Sequence, residues 1–281
     1  MNLSPDTFTT LAGIIRRESG IILGPEKSYL VRHRLAPLIA SEKLQDFDAL
    51  ARLLATRASA RLSNALIDAI TVKETRFFRD AACFDALRDH VLPACADLLG
   101  KQGKGRSRIR FWSAATATGQ EAWSLAMLLN EFAASSEEAP SESHFTILAT
   151  DISAGALETA KSGRYTPSQV HVGLSDARLH QHFRKHGTHL QVADPLRRLV
   201  QFRIFNLLDS PAHLGQFDLI LCRNVLIYFD DATRRRICQG LYAALVPGGW
   251  LSLGSAESLY GLEDRLETII HGKAILYRKH S

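Results

Sequence analysis

Phe217-Asp218-Leu219-Ile220-Leu221-Cys222-Arg223-Asn224-Val225-Leu226-Ile227-Tyr228-Phe229 is an apolar run that ends in an Arg-Asn pair and then a Tyr. It reads as a buried strand delivering those polar side chains to its carboxyl end. An unpaired buried polar group costs roughly 1–3 kcal/mol, so a guanidinium and an amide placed there need partners. Open α/β sheets bind ligands outside the carboxyl ends of their strands. The first partner to consider is therefore a ligand.

Outward from this strand the texture is an alternation of strands and helices. Ile109 to Ser113 reads as a strand followed by a helix from Glu121 to Phe132, and Phe145 to Asp151 as a strand followed by a helix from Ala154 to Ser162. Val200 to Phe205 is a third strand, and after Pro247-Gly248-Gly249 the run Trp250 to Leu253 is another. Lys273 to Arg278 is expected to pair beside Leu266 to Ile270. Such alternation implies an α/β fold with a parallel, doubly wound sheet. The stretch 168–199 is too long for a simple crossover and is expected to form a small insert subdomain, with Leu190-Gln191-Val192 as a short strand.

The first 75 residues read differently, as a small all-helical domain. Ser4 fits an N-cap with Pro5 at the first helical position, Phe8, Leu11 and Ile15 share a face, and Gly20 fits the stop. A second helix opens at Gly24-Pro25 and carries Leu30, Leu35 and Leu38. Phe47, Leu50, Leu53 and Leu54 mark a third, and Leu62, Leu66, Ile67 and Ile70 a fourth, all at helical spacing. The expected division is 1–75 helical, 76–107 a linker with a connecting helix, and 108–281 the sheet domain. Ala134 to Glu142 reads as a polar, mobile loop and Lys101 to Ser107 as a basic linker.

Composition narrows the function classes. The 281 residues are enough for a large domain or two smaller ones, and no apolar run approaches the roughly 20 residues of a membrane span. The N-terminus lacks a secretory pattern, so a cytoplasmic location is expected. The four cysteines have no CxxC pairing and read as buried thiols, and the eleven histidines contain no HExxH. No metal is expected. The net charge of +5 suits an acidic partner. Arg16-Arg17, Arg32-His33-Arg34 and Arg234-Arg235-Arg236 are either docking faces or solvated helix faces. Without a basic patch interleaved with aromatics, no nucleic-acid partner is expected.

The chemistry gathers at strand ends. Ser113 to Glu121 is a loop of small residues between a strand and a helix N-terminus, either shaped for close ligand approach or packed for its own sake. Asp151 ends the next strand, where such folds bond a ribose hydroxyl pair, or else it caps the following helix. Asn206-Leu207 and Arg223-Asn224 end two further strands. Four strands presenting small or polar residues at one edge favour a nucleoside-bearing cofactor. The absence of a G-x-G-x-x-G disfavours a nicotinamide-dependent oxidoreductase.

Glu74-Thr75-Arg76-Phe77-Phe78-Arg79, Phe111-Trp112-Ser113-Ala114, Thr118-Gly119, Ala149-Thr150-Asp151-Ile152, Cys222 to Asp230, Pro247-Gly248-Gly249 and Leu253-Gly254-Ser255-Ala256-Glu257 together resemble the CheR-type chemotaxis methyltransferases. The motifs stand in that family's order and cover nearly the whole chain. The resemblance implies a Rossmann-like methyltransferase sheet, S-adenosylmethionine as cofactor, and glutamate side chains on the cytoplasmic domain of methyl-accepting chemotaxis receptors as acceptors. Contact with the membrane is then only through the receptor. By motif, Thr75 and Arg79 contact the cofactor, Gln120 and Glu121 hold its amino group, and Asp151 takes the ribose. Asn206, Leu207, Arg223 and Asn224 flank the adenine and ribose. Tyr228 lies near the methyl group, unless it is a core aromatic.

The chain departs from that pattern where Gln120-Glu121-Ala122-Trp123 replaces a Glu-Glu pair with following Pro and Tyr, where Ala115-Thr116-Ala117 replaces Gly-Cys-Ser, and where Lys73 replaces a common Asn. An ionised glutamate needs no general base, so Arg79 and Tyr228 are expected to align the carboxylate rather than to activate it. The turn Arg184 to His189 is compact and is expected not to capture a receptor's C-terminal peptide. Arg32 and Arg34 are then the expected contact for an acidic receptor surface. Two readings stay open beside this one: a non-catalytic S-adenosylmethionine-binding regulator, and a methyltransferase for another protein acceptor.

Overall fold

The computed structural model describes residues 2–57, 59–99, 107–135 and 140–280. Much of the expected linker Lys101 to Ser107, and the middle of the expected loop Ala134 to Glu142, lie outside the described residues. Four helices open the chain: α1 (Pro5–Ser19), α2 (Ser28–Ser41), α3 (Phe47–Arg57) and α4 (Ala60–Ile70). Ser4 Oγ accepts from Thr7 N–H to cap α1, and Gly20 at φ 77° ends it. The buried face of α2 runs through Val31, Leu35, Leu38 and Ile39, so Val31 takes the place expected for Leu30. With the apolar faces of α1, α3 and α4 it makes one core.

α5 (Ala81–Ala86), a π turn (Leu87–Val91) and α6 (Leu92–Leu99) follow. Pro93 has no N–H for the carbonyl one turn back, and the helix widens just ahead of it. The sheet domain then runs β1 (Ile109–Ala114), α7 (Gln120–Ala133), β2 (Phe145–Asp151), α8 (Ala154–Ser162), β3 (Arg164–Tyr165), α9 (Pro167–His171), α10 (Asp176–His182), β4 (Phe183–His186), β5 (His189–Val192), α11 (Asp194–Leu199), β6 (Val200–Ile204), β7 (Phe217–Cys222), α12 (Asp231–Ala244), β8 (Leu245–Leu253), β9 (Leu266–His271) and β10 (Ala274–Lys279).

The large sheet has seven strands in the order β6-β2-β1-β7-β8-β10-β9. The ladders from β6 to β8 are parallel, and β10 is antiparallel to both neighbours. Alternate residues of each strand feed opposite faces. Phe111, Ile147, Leu219 and Leu221 join a core with α5, α6 and α7, whereas Trp112, Leu148, Ile220 and Cys222 join one with α12. This is the doubly wound sheet the alternation implied. Its order reverses between β1 and β7, at the switch point where such sheets bind ligands.

Pro247-Gly248-Gly249 is not a turn ahead of β8 but a bulge inside it. Pairing jumps from Phe217 with Leu245 to Leu219 with Trp250. Gly248 has φ 75°, and a Cβ on Gly249 would stand 2.9 Å from Val246 O and 3.2 Å from Phe217 O, so glycine allows the backbone to fold there. The insert carries its own sheet, β3-β5-β4. That sheet starts at Arg164, ahead of the expected 168, because a two-residue strand is too short to show alternation.

Candidate functional site

A cavity of about 360 Å³ opens over the carboxyl ends of β6, β2, β1 and β7, beneath the end of α1. Every residue expected at the site lines it except Gln120: Thr75, Arg79, Glu121, Asp151, Asn206, Leu207, Arg223, Asn224 and Tyr228 all stand on the wall. The backbone of the wall, and of the segment flanking Arg79, is bent out of ordinary conformations. Phe78, Asp80, Ala115, Ala117 and Asn224 all have positive φ between 47° and 59°. Such residues cost of order 1–3 kcal/mol each and gather at functional sites.

Arg223 is buried, yet its guanidinium is well held. Nη2 donates to Asp80 Oδ2 at 2.7 Å and to Arg79 O at 2.9 Å, and Nη1 reaches Glu121 Oε2 at 3.3 Å. Burial opposes its charge, but Cys83, Glu121 and Asp80 together hold its pKa above the ordinary value. Its Nε has no partner among the described residues, and neither does the buried Thr116 Oγ1. The Arg-Asn pair that the sequence pointed toward a ligand is thus half spoken for by the protein.

Glu257 explains the Leu253-Gly254-Ser255-Ala256-Glu257 motif. Its Oε2 accepts from Asn224 N–H at 2.6 Å and Gly254 N–H at 2.7 Å, and its Oε1 from Leu226 N–H at 2.7 Å. The carboxylate staples the loop after β7 in its left-handed turn at Asn224. A Cβ on Gly254 would press on Asn224 Nδ2 at 2.5 Å, so glycine is required for that approach.

Asp151 settles as a wall residue. The cap of α8 is Ser153, whose side chain accepts from Ala156 N–H. Asp151 instead accepts from Ala117 N–H at 2.8 Å and Ser153 N–H at 2.9 Å, leaving lone pairs on both oxygens. Burial raises its pKa, with the two backbone bonds and Lys73 pulling the other way. Glu121 is similar: burial raises its pKa against the pull of Arg223 and of Ser113, whose hydroxyl donates at 2.7 Å.

Three expectations need correction. Gln120 is buried behind the loop, where Oε1 accepts from Thr118 Oγ1 at 2.8 Å, and it is not on the cavity wall. Asn206 is on the wall, but its Nδ2 donates to Glu18 O at 2.8 Å and its Oδ1 accepts from Leu208 N–H, so its amide latches α1 to the sheet domain. Arg34 is not a free docking residue, because its Nη1 donates to the carbonyls of Ile70 and Thr71 at the end of α4. Tyr228, by contrast, is half-buried, and its hydroxyl makes no hydrogen bond among the described residues. Arg79 spends only a long bond, 3.4 Å, on Glu74 O.

Beyond Thr75 at the edge of the helical domain, sequence reasoning missed the bundle's contribution to the wall. Ser19 and Ile21 at the end of α1, and Thr71 and Val72 after α4, line the same cavity. The available signal was Gly20, where a Cβ would meet Leu208 Cδ2 at 2.8 Å and Phe229 Cδ1 at 3.1 Å. A helix-ending glycine reads equally as a plain stop, and nothing along the chain separates the two.

The unspent donors, the carboxylate of Asp151 and the small-residue loop fit a polar ligand of nucleoside size. Comparison with known proteins agrees. Residues 6–71 match the family model described as CheR methyltransferase, all-alpha domain, and residues 73–275 the one described as CheR methyltransferase, SAM binding domain. The chain is 38% identical over 280 residues to a chemotaxis protein methyltransferase of Vibrio anguillarum, covering 99% of this chain and 98% of that protein. It is 36% identical over 279 residues to chemotaxis protein methyltransferase 1 of Pseudomonas aeruginosa, covering 99% of each. A chemotaxis protein methyltransferase of Borreliella burgdorferi is 30% identical over 262 residues, covering 93% of this chain and 91% of that protein. The chain belongs to the CheR family of chemotaxis methyltransferases, with S-adenosylmethionine as its cofactor.

Proposed function

We propose that this protein methylates glutamate side-chain carboxylates on the cytoplasmic domain of chemotaxis receptors, giving glutamate methyl esters. Its place of work is the cytoplasm, at the membrane only through the receptor. The observation that carries the reading is the pair of unspent donor groups on one wall, the Tyr228 hydroxyl and the Arg79 guanidinium. Together they are suited to receive and orient an anionic acceptor. The buried wall carboxylates Glu121 and Asp151 are already engaged by Arg223, Ser113 and backbone N–H groups, which suits an acceptor that needs no base.

S-adenosylmethionine, when bound, supplies an electrophilic methyl on a sulfonium. Asp151 would accept from the ribose hydroxyls with the lone pairs that Ala117 and Ser153 leave free. Glu121 would face the methionine ammonium, and Thr75, Arg223 and Asn224 would hold the remaining polar edges. Asn206 contributes through Leu207 and the backbone, since its amide is latched to α1. Arg79 and Tyr228 would align the acceptor carboxylate with the methyl, and the helical bundle would exclude water from it, where alignment is worth several kcal/mol.

The test is methyl transfer from methyl-labelled S-adenosylmethionine to a purified receptor cytoplasmic domain. A base-labile label that leaves as methanol is the expected result. A base-stable label, or one on another protein only, overturns the receptor reading, and binding without any transfer favours a regulator. Asp151→Ala is expected to weaken S-adenosylhomocysteine binding by at least about tenfold, since a hydrogen bond to a charged group is worth roughly 1.5–3 kcal/mol. Arg79→Lys is expected to lower transfer far more than that binding, because lysine keeps the charge beside the cofactor but lacks the planar fork that aligns the acceptor.

A further inference from the structure

A groove of about 490 Å³ runs along the N-terminal turn of α12, between it and the loop 256–262. Ile227 lines both this groove and the cavity, so the groove leads to the residue beside Tyr228. It carries two large exposed side chains, Ile227 at 55% and Tyr260 at 95% exposure. An aromatic that open to water finds use as a binding anchor, as Tyr does at the centre of many interfaces.

The groove's charge is one-sided once its own pairings are accounted for. Glu257 is consumed by its three backbone donors. Asp231 pairs with Arg234 at 3.2 Å, and Arg234 also donates to Phe229 O. Arg235 is exposed and has no partner among the described residues. What remains is an apolar pair flanked by a free guanidinium.

The loop backbone offers few free donors for strand addition. The N–H groups of Glu257, Leu262 and Glu263 bond to carbonyls within the loop, Tyr260 N–H to Ser258 Oγ, and Leu259 N–H to Tyr277 Oη. Recognition in the groove is therefore through side chains, the mode of an amphipathic helix rather than of an added strand.

From these features, and resting on the acceptor reading above, we infer that the groove seats the helix of the substrate protein that bears the acceptor glutamate. That helix is amphipathic and acidic: its apolar residues lie on Ile227 and Tyr260, and an acidic residue meets Arg235. The acceptor carboxylate is delivered past Ile227 to Tyr228. The Arg234-Arg235-Arg236 cluster is in this way divided by the fold, with Arg234 tied to Asp231, Arg235 turned to the partner, and Arg236 donating to Leu208 O.

The test uses the full chain loaded with S-adenosylhomocysteine, with a receptor cytoplasmic domain as probe, alongside methylation kinetics. Tyr260→Ala and Arg235→Glu stand outside the cavity wall, so S-adenosylhomocysteine affinity is expected to stay within about twofold of wild type, which also shows that the variants fold. Receptor binding is expected to weaken by about tenfold or more in each, with KM rising and kcat changing little. In Arg235→Glu the dependence of binding on salt should also decrease. If the wild-type protein methylates the receptor but both variants bind it as tightly, the groove assignment is overturned while the acceptor reading stands. If the wild-type protein makes no ester on the receptor at all, the acceptor reading is overturned and the groove with it. A change in self-association of Tyr260→Ala by sedimentation, with receptor binding intact, assigns the groove to a second copy and also overturns the proposal.

Discussion

Ala115 lies on the cavity wall with φ 59°, at a position where glycine fits the conformation and alanine does not. An L-residue in the left-handed region costs roughly 1–2 kcal/mol. Replacing it by glycine gives back about 0.4–1 kcal/mol through the freer unfolded chain. The first effect is larger, so Ala115→Gly is expected to stabilise the protein by about 0.5–1 kcal/mol, read as a rise in urea midpoint at constant slope. An unchanged or lower midpoint would show that the Ala115 Cβ makes packing contacts worth more than the strain. The same residue-scale logic shows why Glu257 stands where it does, since a carboxylate accepting three N–H groups can hold a strained loop that no apolar side chain could.

The elements around the insert are joined by charge as much as by packing. Arg178 on α10 forks onto Glu131 of α7 with both bonds at 2.8 Å, and its guanidinium lies 3.8 Å from the centre of the Phe78 ring. Burial alone would raise the pKa of Glu131, but the bonds from His182 and Arg178 outweigh it and bring it down to about 2. A carboxylate whose pKa is lower folded than unfolded adds stability above its unfolded pKa, near 4.5, and that stability is lost as pH falls toward 2. Discounted for partial exposure, the amount is on the order of 2 kcal/mol. Urea midpoints measured from pH 6 to pH 3 should therefore fall less steeply in Glu131→Gln than in wild type. Parallel profiles would mean the fork contributes nothing net. Gly173, at φ 99°, joins the insert to the Glu74–Arg79 segment from the other side, where any Cβ would collide with the Phe77 carbonyl.

Across the whole molecule the bundle and the sheet domain close over the cavity through a few directed bonds. Asp68 on α4 accepts from Ser153 Oγ at 2.5 Å and from Gly155 N–H at 3.2 Å, sitting at the positive end of α8. On the far side Asn206 holds Glu18 O, Ile22 N–H donates to Tyr228 O at 3.0 Å, and Arg16 pairs with Asp230 at 2.7 Å. Thr71, Val72 and Thr75, just beyond α4, line the cavity, so the Asp68 latch bears on ligand affinity from outside the wall. Asp68→Ala is expected to weaken S-adenosylhomocysteine binding by about three- to tenfold, the loss of one to two hydrogen bonds, with helix content by circular dichroism unchanged. Unchanged affinity would limit the bundle to a passive cover. Among the described residues no helix is long and apolar enough to cross a membrane.

The local elements were legible in the sequence because their signals are local. Caps such as Ser4 and Gly20, the three- and four-residue spacing of Leu62, Leu66, Ile67 and Ile70, and the apolar runs at Phe145 to Asp151 and Phe217 to Cys222 depend on neighbours along the chain. The structure returns them with the same or nearly the same bounds. The edge at which the four strands end their polar residues followed from order alone, since parallel neighbours must finish on one side. What each polar side chain does there was decided only by the tertiary fold. Asn206 finds Glu18 188 residues away and Arg223 finds Asp80 143 residues away, while Gln120 turns from the cavity to Thr118. A buried polar group takes whichever partner the fold brings within about 3 Å, and no pattern along the chain carries that distance.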